Sequence, residues 1–405
     1  MTEQPTLSDH PSIGLTDKEL KFINQHITDD VNQLLLRSKN AEDLDVKKAI
    51  GQIHARQKAV KKLPEWSSYK KLIFPPALSV EQSSSEATAA FKASIVSGET
   101  LIDITGGMGV DCYYMSQKFN SATYFELQPE VATTANYNFK LLQANQITVR
   151  NSNSLTAIEA EGLTADWIYT DPARRDSNKD KVVLLADCTP DIISNLPLLL
   201  RAAPNILVKT SPLLDIDRAV KELQHVKAVY TIGYDQECKE LLFHINGEHS
   251  SDSYELKVRI LNQNGEAGLS LDFEKNQEQQ ATIAYTYPQA YLYEPHAAVL
   301  KSGAFKILGD RYGVSKLAAS SHLYTSEQRI ENFPGRTFEV VGYCKPDGTE
   351  IQKLIGQNKA NLTLRNFPAK IQDLRKKWRL NEGGDHYLFA TTLFDNKKVV
   401  IVTKK

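Results

Sequence analysis

Three groups of residues in this chain have the types and spacing for chemistry on a bound nucleoside-like ligand. The first is LIDITGGMGVD, Leu101 to Asp111. Here an apolar run ends in a carboxylate, Asp103, and passes into Thr105, Gly106, Gly107 and Gly109 before a helical pattern opens at Asp111. Glycine lets backbone approach a ligand without a Cβ in the way, and a helix start offers unpaired N–H groups, so a ligand is expected over this turn. The second group begins with Glu126, 23 positions after Asp103 at the end of the next apolar run, where a carboxylate can accept both hydroxyl hydrogen bonds of a ribose. Asn153, after a third run, stands where a polar side chain would read an adenine edge, cap a helix, or do both. The third group is WIYTDPARRD, Trp167 to Asp176. Pro172 stiffens the turn and removes a donor, so the Asp171 carboxylate and nearby carbonyls can accept from an amine or amide N–H. Arg174 and Arg175 follow, able to stack on a base or meet a phosphate, and Lys209 ends a further run where it could also reach substrate phosphate.

Several chemistries are disfavoured by the same residues. A dinucleotide fingerprint needs a third glycine where this chain has Cys112, and no phosphate loop ending in Gly-Lys-Ser/Thr is present. Cys188 has no basic neighbour in sequence to make it a thiolate nucleophile and reads as a buried thiol. His296 and His322 lack partners at ligand spacing, so no metal site is expected.

These groups need a scaffold, and the pattern supplies one. Helical and strand periodicities alternate: a helix over 111–119, strands over 122–125, 147–150, 167–170 and 206–209, and a helix over 130–143. That order predicts a doubly wound parallel sheet with its ligands along the carboxyl edge. Strands over 228–234, 240–245 and 254–261 should close the sheet, with NQNGEAG and DFEKNQEQQ as polar joints. Upstream, Thr16 to Leu63 reads as a helical lead, with Thr16 and Glu19 as a capping box. Its basic stretch, Lys47, Lys48, Arg56, Lys58, Lys61 and Lys62, is either a solvated face or a phosphate contact. A further helix starts after Gln82, Ser84 and Ser85, close enough to the glycine turn for Gln82 and Ser84 to close over a ligand there, although an ordinary N-cap explains them as well.

Beyond the sheet, YLYEPHAAVLKSGAFKIL places Pro295 at a helix start and Gly303 within that helix. From Thr337 onward, strand, helix, strand, helix and two strands form a small α+β sandwich. Between Gln352 and Arg379 eight Lys or Arg stand against one acid, Asp373. Arg375, Lys376 and Lys377 beside Trp378 suit an RNA backbone with a base stacked nearby, or else a solvated helix face with the tryptophan tucked into the core.

At 405 residues, 41% hydrophobic and 24% charged, the chain is globular and long enough for two or three domains. Its 48 basic and 49 acidic residues nearly cancel, so attraction to nucleic acid must be local. Four scattered cysteines without a C-x-x-C pair predict free thiols in a reducing compartment. A polar N-terminus and no run near about 20 apolar residues predict a cytoplasmic protein without a membrane partner.

The frame Asp103-x-Thr105-x-Gly107-x-Gly109 resembles the first motif of class I S-adenosylmethionine-dependent methyltransferases, with Thr105 in place of its usual first glycine. TDPARRD resembles the (Asp/Asn)-Pro-Pro-aromatic motif of enzymes that methylate exocyclic amines, with Ala173 and Arg174 replacing the second proline and the aromatic. FPPALSVEQSSSEATAAFKA, YEPHAAVLKSGAF, SHLYTS, FPGR and NFPAKIQDLRKKWRLNEGGDHYLFATT extend the likeness over nearly the whole chain. Together they resemble bacterial class I methyltransferases that carry a ferredoxin-like segment and a C-terminal THUMP-like domain. The resemblance implies an α/β, Rossmann-like methyltransferase sheet with an N-terminal helical region and a small C-terminal α+β domain. The expected divisions are 1–72 helical, 73–275 methyltransferase, 276–335 ferredoxin-like or connecting, and 336–405 THUMP-like. It further implies S-adenosylmethionine as cofactor, held by Gln82, Ser84, Asp103, Thr105, Gly107, Gly109, Asp111, Glu126 and Asn153. Catalysis falls to Asp171, Pro172 and Arg174, and an RNA substrate, tRNA or rRNA methylated at a base amine, to Arg175, Lys209, Arg375, Lys376, Lys377 and Trp378. A small-molecule methyltransferase and a non-catalytic RNA-binding or assembly factor are the competing readings. The sequence leaves the oligomeric state open.

Overall fold

The computed structural model describes residues 13–38, 44–174, 185–250 and 253–405. It divides into two units, the first holding 1–227, 242–251 and 261–267, the second 228–241, 252–260 and 268–405.

The first unit begins with helices α1 (Asp17–His26), α2 (Val31–Arg37) and α3 (Val46–Lys62). Thr16 and Glu19 form the expected capping box at α1. Ile23, Leu34, Val46, Ala49, Ile50 and Ile53 meet in one apolar cluster, as helical spacing requires. Within the basic stretch of α3 one residue, Arg56, departs from the expected solvated face or phosphate contact. Arg56 is buried, and its guanidinium donates to the carbonyls of Lys70 (2.8 Å) and Leu72 (2.7 Å) and lies over the Phe74 ring. Lys58 pairs with Glu81, Lys48 with Glu19, and Lys62 donates to the Val80 carbonyl. Four of the six basic residues thus meet partners within the chain, and of these Arg56 alone is buried, while Lys47, Lys58 and Lys61 remain exposed. The short helices α4 (Pro64–Ser68) and α5 (Ala77–Gln82) lead to α6 (Glu86–Ile95), whose N-cap is Ser85. Buried Glu86 in turn accepts from the N–H groups of Glu65 and Trp66 at the start of α4.

The parallel core then alternates as expected: β1 (Thr100–Asp103), α7 (Val110–Ser116), β2 (Ser121–Phe125), α8 (Pro129–Leu141), β3 (Ile147–Arg150), α9 (Ser154–Glu161) and β4 (Trp167–Thr170). The two-residue strands β5 (Ala173–Arg174) and β6 (Cys188–Thr189) pair antiparallel, ahead of α10 (Ile192–Ala202), β7 (Asn205–Thr210) and α11 (Ile216–Leu223). Strand order is β7-β4-β1-β2-β3, parallel throughout. From β1 the strand order runs outward in opposite senses, to β2 and β3 on one side and to β4 and β7 on the other, and at such a switch point a doubly wound sheet opens a crevice at the carboxyl ends. All four residues of β4 are buried, as a strand covered on both faces must be.

The second unit contains most of β8 (Val226–Tyr234), the first half of β9 (Glu237–Asn246), into which β8 turns through Asp235 and Gln236, and most of β10 (Glu255–Leu261) and β11 (Ala267–Glu274). The joint NQNGEAG is a polar turn over 262–266, as expected, whereas the end of β11 and the helix α12 (Lys275–Gln280) replace the expected joint DFEKNQEQQ. Leu271 and Phe273 alternate inward in a strand whose polar residues face out, and Glu274 caps the helix. The next correction falls at Pro295, which ends a strand, β12 (Tyr291–Pro295), instead of starting a helix. His296 follows as N-cap of α13 (Ala297–Lys301), its Nδ1 accepting from Ala298 N–H while Nε2 donates to the Asp235 carbonyl. Gly303, at φ +77°, turns the chain towards α14 (Ile307–Tyr312). It separates two helices instead of lying within one.

Strands β13 (Ser315–Lys316), β14 (Tyr324–Ser326) and β15 (Gly335–Cys344) precede α15 (Gly348–Ile355), β16 (Asn361–Arg365), α16 (Ile371–Trp378), β17 (His386–Thr392) and β18 (Lys398–Lys404). They form one sheet in the order β13-β14-β12-β15-β18-β17-β16, with an irregularity in β15 between Val340 and Gly342. One apolar cluster lies beneath α15 and α16, and a second gathers Leu292, Leu317, Leu323 and Phe338 with Phe389, Leu393, Val399 and Ile401. Trp378 belongs to the first cluster at 1% exposure, among Ile351, Leu374, Leu388 and Val400. It cannot stack on a base without unfolding its helix, and the expectation that it contacts substrate is corrected accordingly.

Candidate active site

The glycines of the turn after β1 serve different ends. A Cβ on Gly106 would stand 2.3 Å from the Tyr124 ring, and one on Gly109 (φ +86°) would stand 2.6 Å from Phe139, so these two are required for packing. Gly107 (φ +56°) is different, because a Cβ there would meet nothing nearer than the Thr105 carbonyl at 3.8 Å. The open space of the turn is therefore over Gly107. Its N–H donates to Glu126 Oε2 (2.9 Å), and the other oxygen of Glu126 accepts from Gln128 N–H (2.8 Å). Two backbone donors thus fix a half-buried carboxylate at the end of β2. A cleft of about 210 Å³ opens beside Gly107 and Met108, lined also by Phe74, Pro76, Glu130 and Thr134.

Asp103 lies beneath the turn, 1% exposed, with Oδ1 accepting from Thr105 N–H (2.9 Å). Burial pushes its carboxyl up to about 8, opposed by that hydrogen bond and reinforced by the negative charges of Asp111, Asp171 and Glu126. Thr105, where the motif has glycine, links the turn to the end of β4, because its hydroxyl accepts the N–H of Asp171 (2.6 Å). The Asp171 carboxylate, 40% exposed, receives the Lys209 ammonium on Oδ2 at 2.6 Å. Lys209 therefore stands in an ion pair at the sheet edge, with Asp111 Oδ2 3.8 Å away, in place of the expected substrate phosphate.

Asp111 is the hub of a buried network and not a ligand-facing acid. Lys92, wholly buried on α6, pairs with its Oδ1 (3.1 Å), while Oδ2 accepts from the hydroxyls of Ser84 (2.7 Å) and Tyr169 (2.6 Å). Burial alone would raise the Asp111 carboxyl. The Lys92 and Lys209 charges and the two hydroxyls outweigh burial and hold it below the usual carboxylate range. Lys92, Asp111, Lys209 and Asp171 make a chain of alternating charge from α6 to the mouth of β4. Ser84 is thus held inward by Asp111, and Asp111 and Ser84 are corrected from ligand contacts to supports. Gln82 is exposed at the end of α5. Lys92 and Tyr169 escaped the sequence reading, although a lysine within the apolar stretch AAFKASIV is a usable signal, since a buried ammonium demands a partner.

Of the remaining candidates, exposed Asn153 caps α9 by accepting from Thr156 N–H (3.0 Å), and Pro172 is half-buried next to Asp171. The backbone of Arg174 pairs with Cys188 in the β5–β6 ladder, and Arg175 lies outside the described residues. Cys188 is a buried thiol, as read. In the second unit Arg375 donates to the Ala360 carbonyl (3.3 Å) and lies near Glu382, while Lys376 and Lys377 are exposed. Among the described residues, no group of three or more His, Cys, Asp or Glu is placed to hold a metal, and no helix is long and apolar enough to cross a membrane.

A ferredoxin-like domain family matches residues 291–334 and a THUMP-domain-like family matches 335–405. No curated protein matches the chain. Among solved structures, an inferred methyltransferase from Porphyromonas gingivalis W83 is 31% identical, covering 96% of this chain and 99% of its own, with a TM-score of 0.84. An inferred methyltransferase from Streptococcus mutans in complex with S-adenosylhomocysteine is 14% identical over 40% of this chain and 96% of its own, with a TM-score of 0.30. TrmK of M. capricolum, bound to the same compound, is 15% identical over 40% of this chain and 69% of its own, with a TM-score of 0.31. The likeness to the Porphyromonas protein spans nearly the whole of both chains. The chain belongs to the bacterial class I methyltransferases that carry a ferredoxin-like segment and a C-terminal THUMP-like domain.

Proposed function

We propose that the protein transfers a methyl group from S-adenosylmethionine to a base amine of tRNA or rRNA, with Asp171 orienting the acceptor. The observation that carries this reading is the joint between the glycine turn and the end of β4. The Asp171 N–H sits 2.6 Å from Thr105 Oγ1, so an acceptor-facing carboxylate and a nucleoside-binding turn share one hydrogen bond. The residues fit the cofactor. Gly107 leaves open space, the Glu126 carboxylate is fixed by two N–H groups while its remaining lone pairs can take a ribose diol, and Asn153, the N-cap of α9 shortly after β3, could read an adenine edge. When bound, S-adenosylmethionine supplies a methyl group on a cationic sulfur.

The chain's own residues then have mainly to position. Asp171 accepts an N–H of the acceptor amine, which aims the nitrogen lone pair, and its carboxylate can take the proton that the nitrogen sheds as the new N–C bond forms. Lys209 fixes Oδ2, and Asp111 with Lys92 behind it fixes Lys209, so the carboxylate is held in one orientation before the acceptor arrives. Preorganisation of this kind contributes more to a reaction needing little acid–base chemistry than any strong base would. Arg174 and Arg175 take the place of the missing stacking aromatic, on a base face or a phosphate. The THUMP-like segment and the exposed Lys376 and Lys377 support an RNA substrate.

The test uses methyl-labelled S-adenosylmethionine and RNA from cells lacking the protein. Wild type should label the RNA, and Asp171→Ala should not. Equal labelling by both would remove Asp171 from the reaction.

A further inference from the structure

Trp378 was the aromatic expected to stack on RNA, and its burial leaves that task to other rings. Three large aromatic side chains in the second unit are exposed together: Tyr285 (46%), Tyr287 (39%) and Phe394 (44%). The Tyr287 and Phe394 rings meet edge to face at 5.3 Å. Tyr285, which forms an isolated β-bridge with Lys316, precedes Tyr287 by two residues. Two hydrogen bonds gather the segments, Thr286 N–H to the Lys316 carbonyl (3.1 Å) and Phe394 N–H to the Leu317 carbonyl (2.8 Å). Exposed aromatic surface of this kind marks an interaction site.

The charges beside it indicate the partner. The Lys397 ammonium lies 5.4 Å from the Tyr287 ring centre, donates to the Tyr287 hydroxyl (3.2 Å) and pairs with Asp395 (2.8 Å), while Lys398 beside it is exposed, so two cations stand against that carboxylate. Thr392, two residues before Phe394, donates to the carbonyl of Asn366, next to Arg365. Arg365, its side chain 35% exposed, shares the buried Glu294 carboxylate with Arg336, so two guanidiniums face one acid. Positive charge exceeds negative around both features, and the rings are open. That combination fits unpaired bases stacking on the rings while the backbone phosphates meet Arg365, Lys397 and Lys398.

We propose that Tyr285, Tyr287 and Phe394 form a stacking platform for single-stranded RNA. The inference rests on the RNA reading of the function and names the surface that would take that substrate. The test measures fluorescence anisotropy with a labelled single-stranded RNA oligonucleotide, a duplex of the same sequence, and unmodified tRNA. Tyr287→Ala and Phe394→Ala remove exposed rings, and thermal unfolding checks that both variants fold. Each should weaken single-strand binding by about 5- to 150-fold, the range for losing one base–ring stack, and change duplex binding far less. The paired change Lys376→Glu with Lys377→Glu should have the smaller effect. Variants that fold, and bind and methylate RNA like wild type, would overturn the platform and leave the methyltransferase reading standing. A wild-type protein that binds none of the three RNAs would overturn both. A dimer in sedimentation that Phe394→Ala dissolves, with RNA binding unchanged, would assign the patch to a second copy of the chain and overturn the proposal.

Discussion

Asp103→Asn should stabilise the protein, and increasingly so as pH rises. Asp103 ends the central strand at 1% exposure, and burial with three acids nearby pushes its carboxyl up to about 8. In the unfolded chain the same carboxyl ionises near 3.8. Between those values the folded state keeps a proton that the unfolded state has lost. The stability this contributes is whole below the unfolded value, falls as pH climbs through the interval, and is gone above about 8. Over the roughly three units from pH 5 to the folded value, at about 1.36 kcal/mol per unit, wild type should lose on the order of 4 kcal/mol from this one group. Asparagine keeps an oxygen for the Thr105 N–H and does not titrate. Urea unfolding of both proteins without ligand at pH 5, 7 and 9 reads the difference directly. The variant's advantage should grow by several kcal/mol across the series. Parallel stability profiles would show that Asp103 ionises freely in the folded protein and would refute the buried, protonated acid.

Three further outcomes follow from the same contacts. Lys92→Met leaves Asp111 buried with its nearest remaining cation 3.8 Å away, and should cost about 3–5 kcal/mol in urea unfolding; a loss under 1 kcal/mol would mean that water reaches the network. Glu126→Gln should weaken S-adenosylmethionine binding about tenfold by calorimetry, since a neutral amide is a poorer acceptor for ribose hydroxyls, and unchanged affinity would move the cofactor elsewhere. Trp378→Ala should cost about 3–5 kcal/mol of stability in the C-terminal segment while Lys376→Glu leaves stability alone, and a tolerant Trp378 would contradict its place in the core.

Local rules were enough for the parallel core. The strands and the helices α7 and α8 there carry their own periods, and the acids at strand ends sit where such a sheet binds ligands, so β1 to β4 and the turn at Thr105–Gly109 were legible from spacing, whereas α9 was signalled only by its cap, Asn153. What spacing could not show is which way a charged side chain turns. Asp111, Lys209 and Arg56 all read as outward-facing groups, and all three are held by partners distant in sequence: Asp111 by Lys92 and Tyr169, Lys209 by Asp171, Arg56 by the carbonyls of Lys70 and Leu72. Trp378 was ambiguous for a related reason. On an eight-residue helix with basic neighbours, the apolar stripe is only Leu374 and Trp378, too few positions to outweigh the charges read beside them. The strand β11 was missed because DFE looks like a linker until Leu271 and Phe273 are counted with it at period two.

The most direct test of the central claim is nucleoside mass spectrometry on tRNA and rRNA fractions from cells with and without this protein. One methylated nucleoside should disappear with the protein, return with wild type, and stay absent with Asp171→Ala. Identical profiles in both fractions would contradict methylation of stable RNA, and a nucleoside restored equally by Asp171→Ala would contradict the role given to the end of β4.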